Sequence, residues 1–402
     1  MLGSRLEGSI LLGVALYVDF IVGDTARLKE LFCAVTIGTI VFGINLYLHV
    51  CARLSQGKPI SEIYPLFRAN VLHIICNNLH RTPTNDMRLM LNSKIFGLAL
   101  ICATLLSCES GRNLQPPALH ADFARYWQQG KAELSRYALV QARYGNLNQG
   151  ELIVITVTEP FNADKQVKSD SLSGRSVRQV LKAQTMRRFT TGIYDYTMTT
   201  TSFKPIDDAV DFPAMKITST SVDWCGQTFA QLNQVSGGYR IESRSYFESE
   251  ADEDFNVSGA FSEDEIWQRI RLAPEALPQG SVRILPALVA ARLRHRRLAP
   301  ETATATTSNY EGSEISGKNL KSYRIVYAHG LKEERVVDFI FEREFPFKIV
   351  GYTEEYEDGF VKPRRLRTVA RLTQQTLLDY WATHDPEHEA LRRQLGVTGF
   401  AR

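Results

Sequence analysis

Between about residues 119 and 402 the chain predicts a mainly β (α+β) domain, a curved antiparallel meander or open half-barrel with a few short helices. Apolar helices are expected within the first 107 residues. Three observations lead there. Segments rich in Val, Ile, Thr, Tyr and Phe recur with polar turns between them, which is the composition and period of half-buried strands. Few long helical patterns separate these segments, so the alternating strand and helix order of a parallel sheet is excluded. The 402 residues are 44% hydrophobic and 23% charged, enough apolar side chain to fill a large core.

Taken from the N-terminus, residues 1–86 form an apolar extension. Ser9 to Val22 is interrupted by Asp19, and Leu31 to Cys51, long enough to span a bilayer, is broken by Asn45 and His49. Residues 87–107 have the order of a signal peptide: a short basic region with Arg88 and Lys94, an apolar run from Ile95 to Leu106, and a small residue, Ser107. Leu105-Leu106-Ser107-Cys108 resembles the bacterial lipobox, which makes Cys108 the expected lipidation site. Residues 108–118 then read as a polar, Pro-containing tether to one β-rich domain over 119–402. Internal signal peptides are not ordinarily processed, so two products are open. Translation from Met87 or Met90 would make 1–86 a mis-called extension, and the alternative is a chain with two or three membrane helices. The first is favoured because the polar run Asn77 to Asp86 ends where the signal begins. In both, the partner is a membrane, reached by lipid anchor or N-terminal helices, and the main domain stands in a bacterial cell envelope outside the cytoplasm.

Nucleic acid is not an expected partner. The net charge of +3 belongs to residues 1–107, because basic and acidic side chains balance from 108 onward and leave no sustained basic field. The basic clusters Arg292 to Arg297 and Arg364 to Arg367 read as solvated faces. Cys225 is the sole cysteine after Cys108, so no disulfide framework is available to the domain.

Within the domain, a short helix is expected from Ala121 to Gln129. Leu134 to Tyr144, a turn over Gly145 to Gly150, and Glu151 to Thr158 form a hairpin. Further strands fall near 177–189, 192–203, 214–220, 228–235, 239–249, 280–285, 302–310, 320–329, 334–344, 347–357 and 364–373. Three helices interrupt or finish them: one opening with a capping box from Ser262 to Glu265, a basic amphipathic one from Pro286 to Arg297, and one from Gln374 to Trp381.

Few residues offer chemistry. His384-Asp385-Pro386-Glu387-His388 matches the H-x-x-E-H zinc pattern, but Pro386 after an Asp385 N-cap starts a helix with His384 outside it. A capped terminal helix ending near Gly396 is expected instead. The acidic run Glu248 to Asp254 offers Glu250, Asp252 and Asp254 as oxygen ligands for Ca²⁺; a solvated loop is the commoner outcome, since an EF-hand needs glycine where Glu253 stands. Cys225 could pair with His329 or His120, although a lone cysteine ordinarily packs in a core. Phosphate-cradling loops and a nucleophile elbow are absent.

Tyr126-Trp127, Gln141 to Gly145, Phe189 to Tyr194, Trp224-Cys225-Gly226, Asp252 to Phe255, Asp264 to Trp267 and Asp379 to Trp381 carry a resemblance. Over these residues the chain resembles a family of uncharacterised bacterial lipoproteins often labelled "septum formation inhibitor Maf". The resemblance implies an exported lipoprotein and no known reaction. Genuine Maf nucleotide pyrophosphatases open with a Ser-Pro-Arg-Arg-type motif that does not occur here, so their activity is expected in name only. The expected function is a lipid-anchored envelope protein, without cofactor, that binds an apolar ligand or a partner protein. A hydrolase using carboxylates such as Asp252, Asp254 or Glu263 is the alternative.

Overall fold

The computed structural model describes residues 119–207 and 212–397. The apolar extension, the signal-like segment, Cys108 and the tether lie outside the described residues.

The described chain enters its sheet in the middle. β1 (Ala132–Arg143) pairs antiparallel with β2 (Asn146–Asn162) on one side and with the last strand, β16 (Arg364–Leu378), on the other. The two-residue β3 (Val167–Lys168) clips onto β2. From β2 a meander runs outward through β4 (Val177–Thr191), β5 (Tyr194–Pro205), β6 (Lys216–Asp223), β7 (Gly226–Val235), β8 (Gly238–Ser245) and β9 (Glu253–Ser258). In the other direction β16 leads through β15 (Ile349–Asp358), β14 (Arg335–Glu342), β13 (Leu320–Tyr327), β12 (Glu301–Asn309) and β11 (Gly280–Leu285). The two-residue β10 (Phe261–Ser262) ends that arm in a parallel pairing. β9 and β10 are the two edges and do not pair, so the sheet curls without closing.

What fills the curl is a helix. In α2 (Ile266–Leu272) every residue is buried. Ile266, Trp267 and Ile270 pack against the inward rows of the sheet, including Tyr137 of β1, Ile325 of β13 and Phe339 of β14. The helix also carries three polar side chains into the interior, and each bonds to a neighbour. Arg271 grips the Glu133 carboxylate through two nitrogens at 2.6 and 2.5 Å, Arg269 meets Glu265 at 3.2 Å, and Gln268 Nε2 donates to the Ser202 carbonyl at 3.0 Å. Beneath α2, α1 (Phe123–Trp127) buries Phe123 and Trp127 against Leu181 and Leu272.

The antiparallel curved sheet and most strand positions are as the sequence predicts, with several differences. The Gly145 to Gly150 turn contracts to Tyr144-Gly145, both with positive φ (57° and 72°), as a two-residue hairpin turn on right-twisted strands requires. Gly150 instead sits inside β2, where a Cβ would meet the Arg188 carbonyl oxygen at 2.2 Å. Ser262 does cap, accepting from Asp264 N, but Glu265 turns inward to accept the Ala214 N–H at 2.6 Å and does not close a capping box. Gln374 to Leu378 continue β16 because β1 supplies partners as far as Ala132.

The last difference concerns the acidic run and the C-terminal segment. Glu253 and Asp254 open β9, paired with Ser243 and Glu242, where a loop was expected. At the C-terminus Asp385 makes no side-chain cap; a 3-10 turn over Pro386–His388 precedes α4 (Glu389–Gln394), which ends before Gly396.

Candidate functional site

Antiparallel register gathers alternate turns at one end of the sheet. The turns after β1, β4, β6, β8, β13 and β15 all lie there, with α3 (Leu288–Leu293) beside them. The expected helix over Pro286 to Arg297 stops at Leu293 because His295 takes a left-handed conformation (φ 50°). Arg296 N then donates to the Ala291 carbonyl and His295 N to the Arg292 carbonyl, the paired bonds of a Schellman motif. This ending fixes the imidazole against the β8–β9 loop. Arg292, read from sequence as part of a solvated face, is buried, since its partner Asp223 lies far away in the chain on β6.

A cleft of about 330 Å³ opens at this end. On one side, Arg143 lies 4.2 Å from the Tyr144 ring centre and 5.5 Å from that of Tyr196, and the two phenol oxygens are 2.6 Å apart. Phe360 completes this wall, 5.9 Å from Tyr144 and 5.7 Å from His295. On the other side, Arg292 lies 4.5 Å over Phe247 and donates to Asp223 at 3.1 Å. His295 Nδ1 stands 2.7 Å from Glu250, whose carboxylate can only accept, so Nδ1 carries the hydrogen and Nε2 faces Arg292 at 3.4 Å. Burial pushes the Tyr196 phenol well above its ordinary range, reinforced by the bond to Tyr144. For Tyr144 burial also raises, but hydrogen bonding with Tyr194 and Tyr196 and the charge of Arg143 outweigh it and hold the phenol below its usual value. The cleft thus presents aromatic walls over a floor of two guanidinium groups.

A smaller cavity of about 120 Å³ continues behind Arg292 and His295, lined in part by Ser219, Ser221 and Ser243. A larger groove of about 650 Å³ runs across the outer face of the sheet. Its ions neutralise one another, Arg324 against Asp338 at 3.1 Å and Arg367 against Glu314 at 2.8 Å, which leaves little for a ligand to satisfy.

The carboxylates considered as metal ligands have separate partners. Glu250 bonds to His295 and Ser245, Asp252 accepts the Ser245 N–H at 3.2 Å, and Asp254 accepts Arg244 at 2.9 and 3.1 Å. Glu263 is buried against Arg335. Among the described residues, Asp385, Glu387 and His388 form the one group whose ligand atoms lie within 4.8 Å of one another, on the exposed C-terminal turn. Cys225 is exposed at the β6–β7 turn and not packed in the core. It lines the cleft with His295; His329 instead meets Glu334, and His120 stacks on Phe345 at the opposite end. Gln141 to Gly145, Phe189 to Tyr194 and Trp224 to Gly226, which carry the lipoprotein resemblance, converge on this end, while the cationic floor from α3 was not legible.

No protein-family model matches the chain, and no curated protein matches it. Among solved structures it is similar to a β-barrel-like protein of a domain of unknown function, DUF1849, from Brucella abortus. The identity is 10%, the match covers 61% of this chain and 98% of that one, and the TM-score is 0.38.

The position of α3 is set by Asp264, which accepts the Leu288 N–H at 3.0 Å. Burial raises the Asp264 carboxyl to about 7, against the lowering effect of that N–H. A raised carboxyl binds its proton more tightly in the folded state, so this group's contribution to stability falls as pH rises from about 4 to 7. Asp264→Asn keeps an acceptor for Leu288 and removes the charge. Some surface of Asp264 reaches solvent, so the variant is expected to be more stable than wild type by on the order of 1–2 kcal/mol at pH 8, and close to it near pH 4. Urea midpoints at the two pH values check this; a constant offset at both would show that the charge is not the cause.

Proposed function

We propose that this protein is a lipid-anchored binding module of a bacterial cell envelope, tethered through Cys108, whose ring-lined cleft takes an apolar ligand bearing an acidic group. The cleft carries this reading. Tyr144, Phe247 and Phe360 offer ring surface to an apolar body, while Arg143, which has no ion-pair partner among the described residues, suits an anionic head. The signal-like segment ending in Leu105-Leu106-Ser107-Cys108 supports the envelope location. Residues able to hold a cofactor are not required by this reading.

Phe360 is the wall residue best suited to a test, since it is largely exposed and its replacement should leave the fold intact. The full chain in lipid nanodiscs is titrated with anilinonaphthalene sulfonate, an apolar ring system with an anionic group, and the signal of empty nanodiscs is subtracted. Saturable binding is expected, weakened roughly tenfold in Phe360→Ser, the loss of one aromatic contact of about 1.4 kcal/mol. A non-saturating signal identical in both proteins would remove the cleft as a binding site.

A further inference from the structure

The hairpin tips around the cleft are apolar although none of the described residues covers them. Ile193 is 81% exposed, Trp224 67%, Leu331 63%, Phe360 67% and Val361 90%. These belong to four different turns, after β4, β6, β13 and β15, which the register brings to the same end. Tyr246 and Leu147 are further exposed hydrophobics there. The rings also connect: Trp224 lies 6.3 Å from Tyr194, Tyr194 6.4 Å from Tyr144, and Tyr144 5.9 Å from Phe360.

We infer that this rim docks on the surface of a lipid bilayer containing anionic lipids, with the turn tips in the headgroup region. The arrangement distinguishes that occupant from a protein. The apolar side chains stand on separate tips with polar backbone between them, which suits entry into a fluid interface more than matching to a groove. Trp, Tyr and Phe are the residue types that favour the membrane interface. Charge points the same way: Arg296, Lys362 and Arg364, at or beside these tips, have no carboxylate within ion-pair distance among the described residues. By contrast Asp223, Glu334 and Glu357 are engaged in ion pairs and Asp358 accepts the Gly145 N–H; of the acids without an ion pair at this end, Asp195, Glu248 and Asp252 belong to the β4–β5 and β8–β9 side, so among the described residues beside Phe360 and Val361 Glu333 alone opposes the three basic groups. Basic groups beside apolar tips meet lipid phosphates favourably. The inference does not depend on the cleft holding a ligand.

Tryptophan positions supply the test. Trp127 and Trp267 are buried, Trp224 is on the rim, and Trp381 is exposed beyond β16 at the opposite end. The full chain is reconstituted in vesicles of phosphatidylglycerol and phosphatidylcholine with brominated acyl chains. Because the readout is local, attachment of the chain through its N-terminal region does not mimic it. Quenching is expected to fall at least threefold in Trp224→Phe and to persist in Trp381→Phe. It should also fall about twofold in Ile193→Ser/Val361→Ser, which leaves Trp224 in place. Equal quenching in wild type and Trp224→Phe overturns the inference, as does a Trp224 emission indifferent to lipid in a chain that self-associates, where a second copy would cover the rim. Undiminished quenching in pure phosphatidylcholine would overturn the role given to Arg296 and Lys362.

Discussion

Arg335→Met is expected to destabilise the domain by about 3–5 kcal/mol, the cost of breaking a buried ion pair and leaving its acids behind. Arg335 is fully buried inside the curl and binds two carboxylates at once. Its Nη1 and Nη2 donate to Glu263 at 2.6 and 2.7 Å, and Nε donates to Glu354 at 2.6 Å. Tyr327 adds a bond to Glu263 at 2.6 Å, and Arg187 approaches Glu354 at 3.8 Å. Glu263 follows the short edge strand β10, while Arg335 and Glu354 sit on β14 and β15, so the cluster ties an edge of the unclosed sheet to its middle. Burial alone would raise the Glu354 carboxyl, but the charges of Arg335 and Arg187 overcome it and hold the group below its ordinary range. A depressed carboxyl contributes stability that is present above its unfolded value near 4.5 and lost as pH falls through the folded one. In Arg335→Met that dependence should weaken or reverse, because Glu354 loses its nearer cation and burial then favours its protonated form. Urea denaturation at pH 4 and 8 measures both effects. The triple variant Arg335→Met/Glu263→Gln/Glu354→Gln should recover more than half of the loss; if it recovers none, the guanidinium acts through packing and not through charge.

How much of this was legible in the sequence follows from which forces are local. Strand composition and alternation are local, and the segments expected at 280–285 and 320–329 appear as Gly280–Leu285 and Leu320–Tyr327. Pairing is not local. Gln374 to Leu378 are polar enough to suggest a helix by themselves, and it is β1, more than two hundred residues away, that makes them a strand. β9 was hidden because its acidic residues resemble a loop until β8 pairs with them. The interior ions were hidden for a related reason. Arg143, Arg187 and Arg335 occupy inward positions of strands where alternation would place apolar side chains, and their partners, the Leu293 carbonyl for Arg143 and carboxylates for the other two, come from distant elements. The cleft was half legible: Tyr144, Tyr194 and Trp224-Cys225-Gly226 stood out, but Arg292 and His295 looked like solvent-facing charge until Asp223 and Glu250 met them.

Trp267→Ala is expected to cost about 3–5 kcal/mol, comparable with the loss of the buried ion pair and with a different origin. The indole lies where α2 plugs the curl, edge-on to Tyr137 at 6.1 Å and Phe339 at 5.3 Å, and stacked on Tyr352 at 6.0 Å. These rings come from β1, β14 and β15, so the indole holds together strands that lie on the two sides of the β16 junction. Removing it leaves a cavity that a sheet already fixed by its hydrogen bonds can collapse only in part, and each facing ring loses an aromatic partner. Trp267→Phe keeps a ring in place and should lose roughly a third as much, whereas Trp381→Ala, at an exposed position, should change the urea midpoint very little. A near-neutral Trp267→Ala would mean that α2 is lodged in the sheet by its polar bonds alone, through Arg271 to Glu133 and Gln268 to Ser202. The sheet does not pair its edges, so no closing hydrogen bonds fix its curvature. On that ground the helix is the part that sets the curvature, and with it the spacing of the turns that form the cleft and its rim.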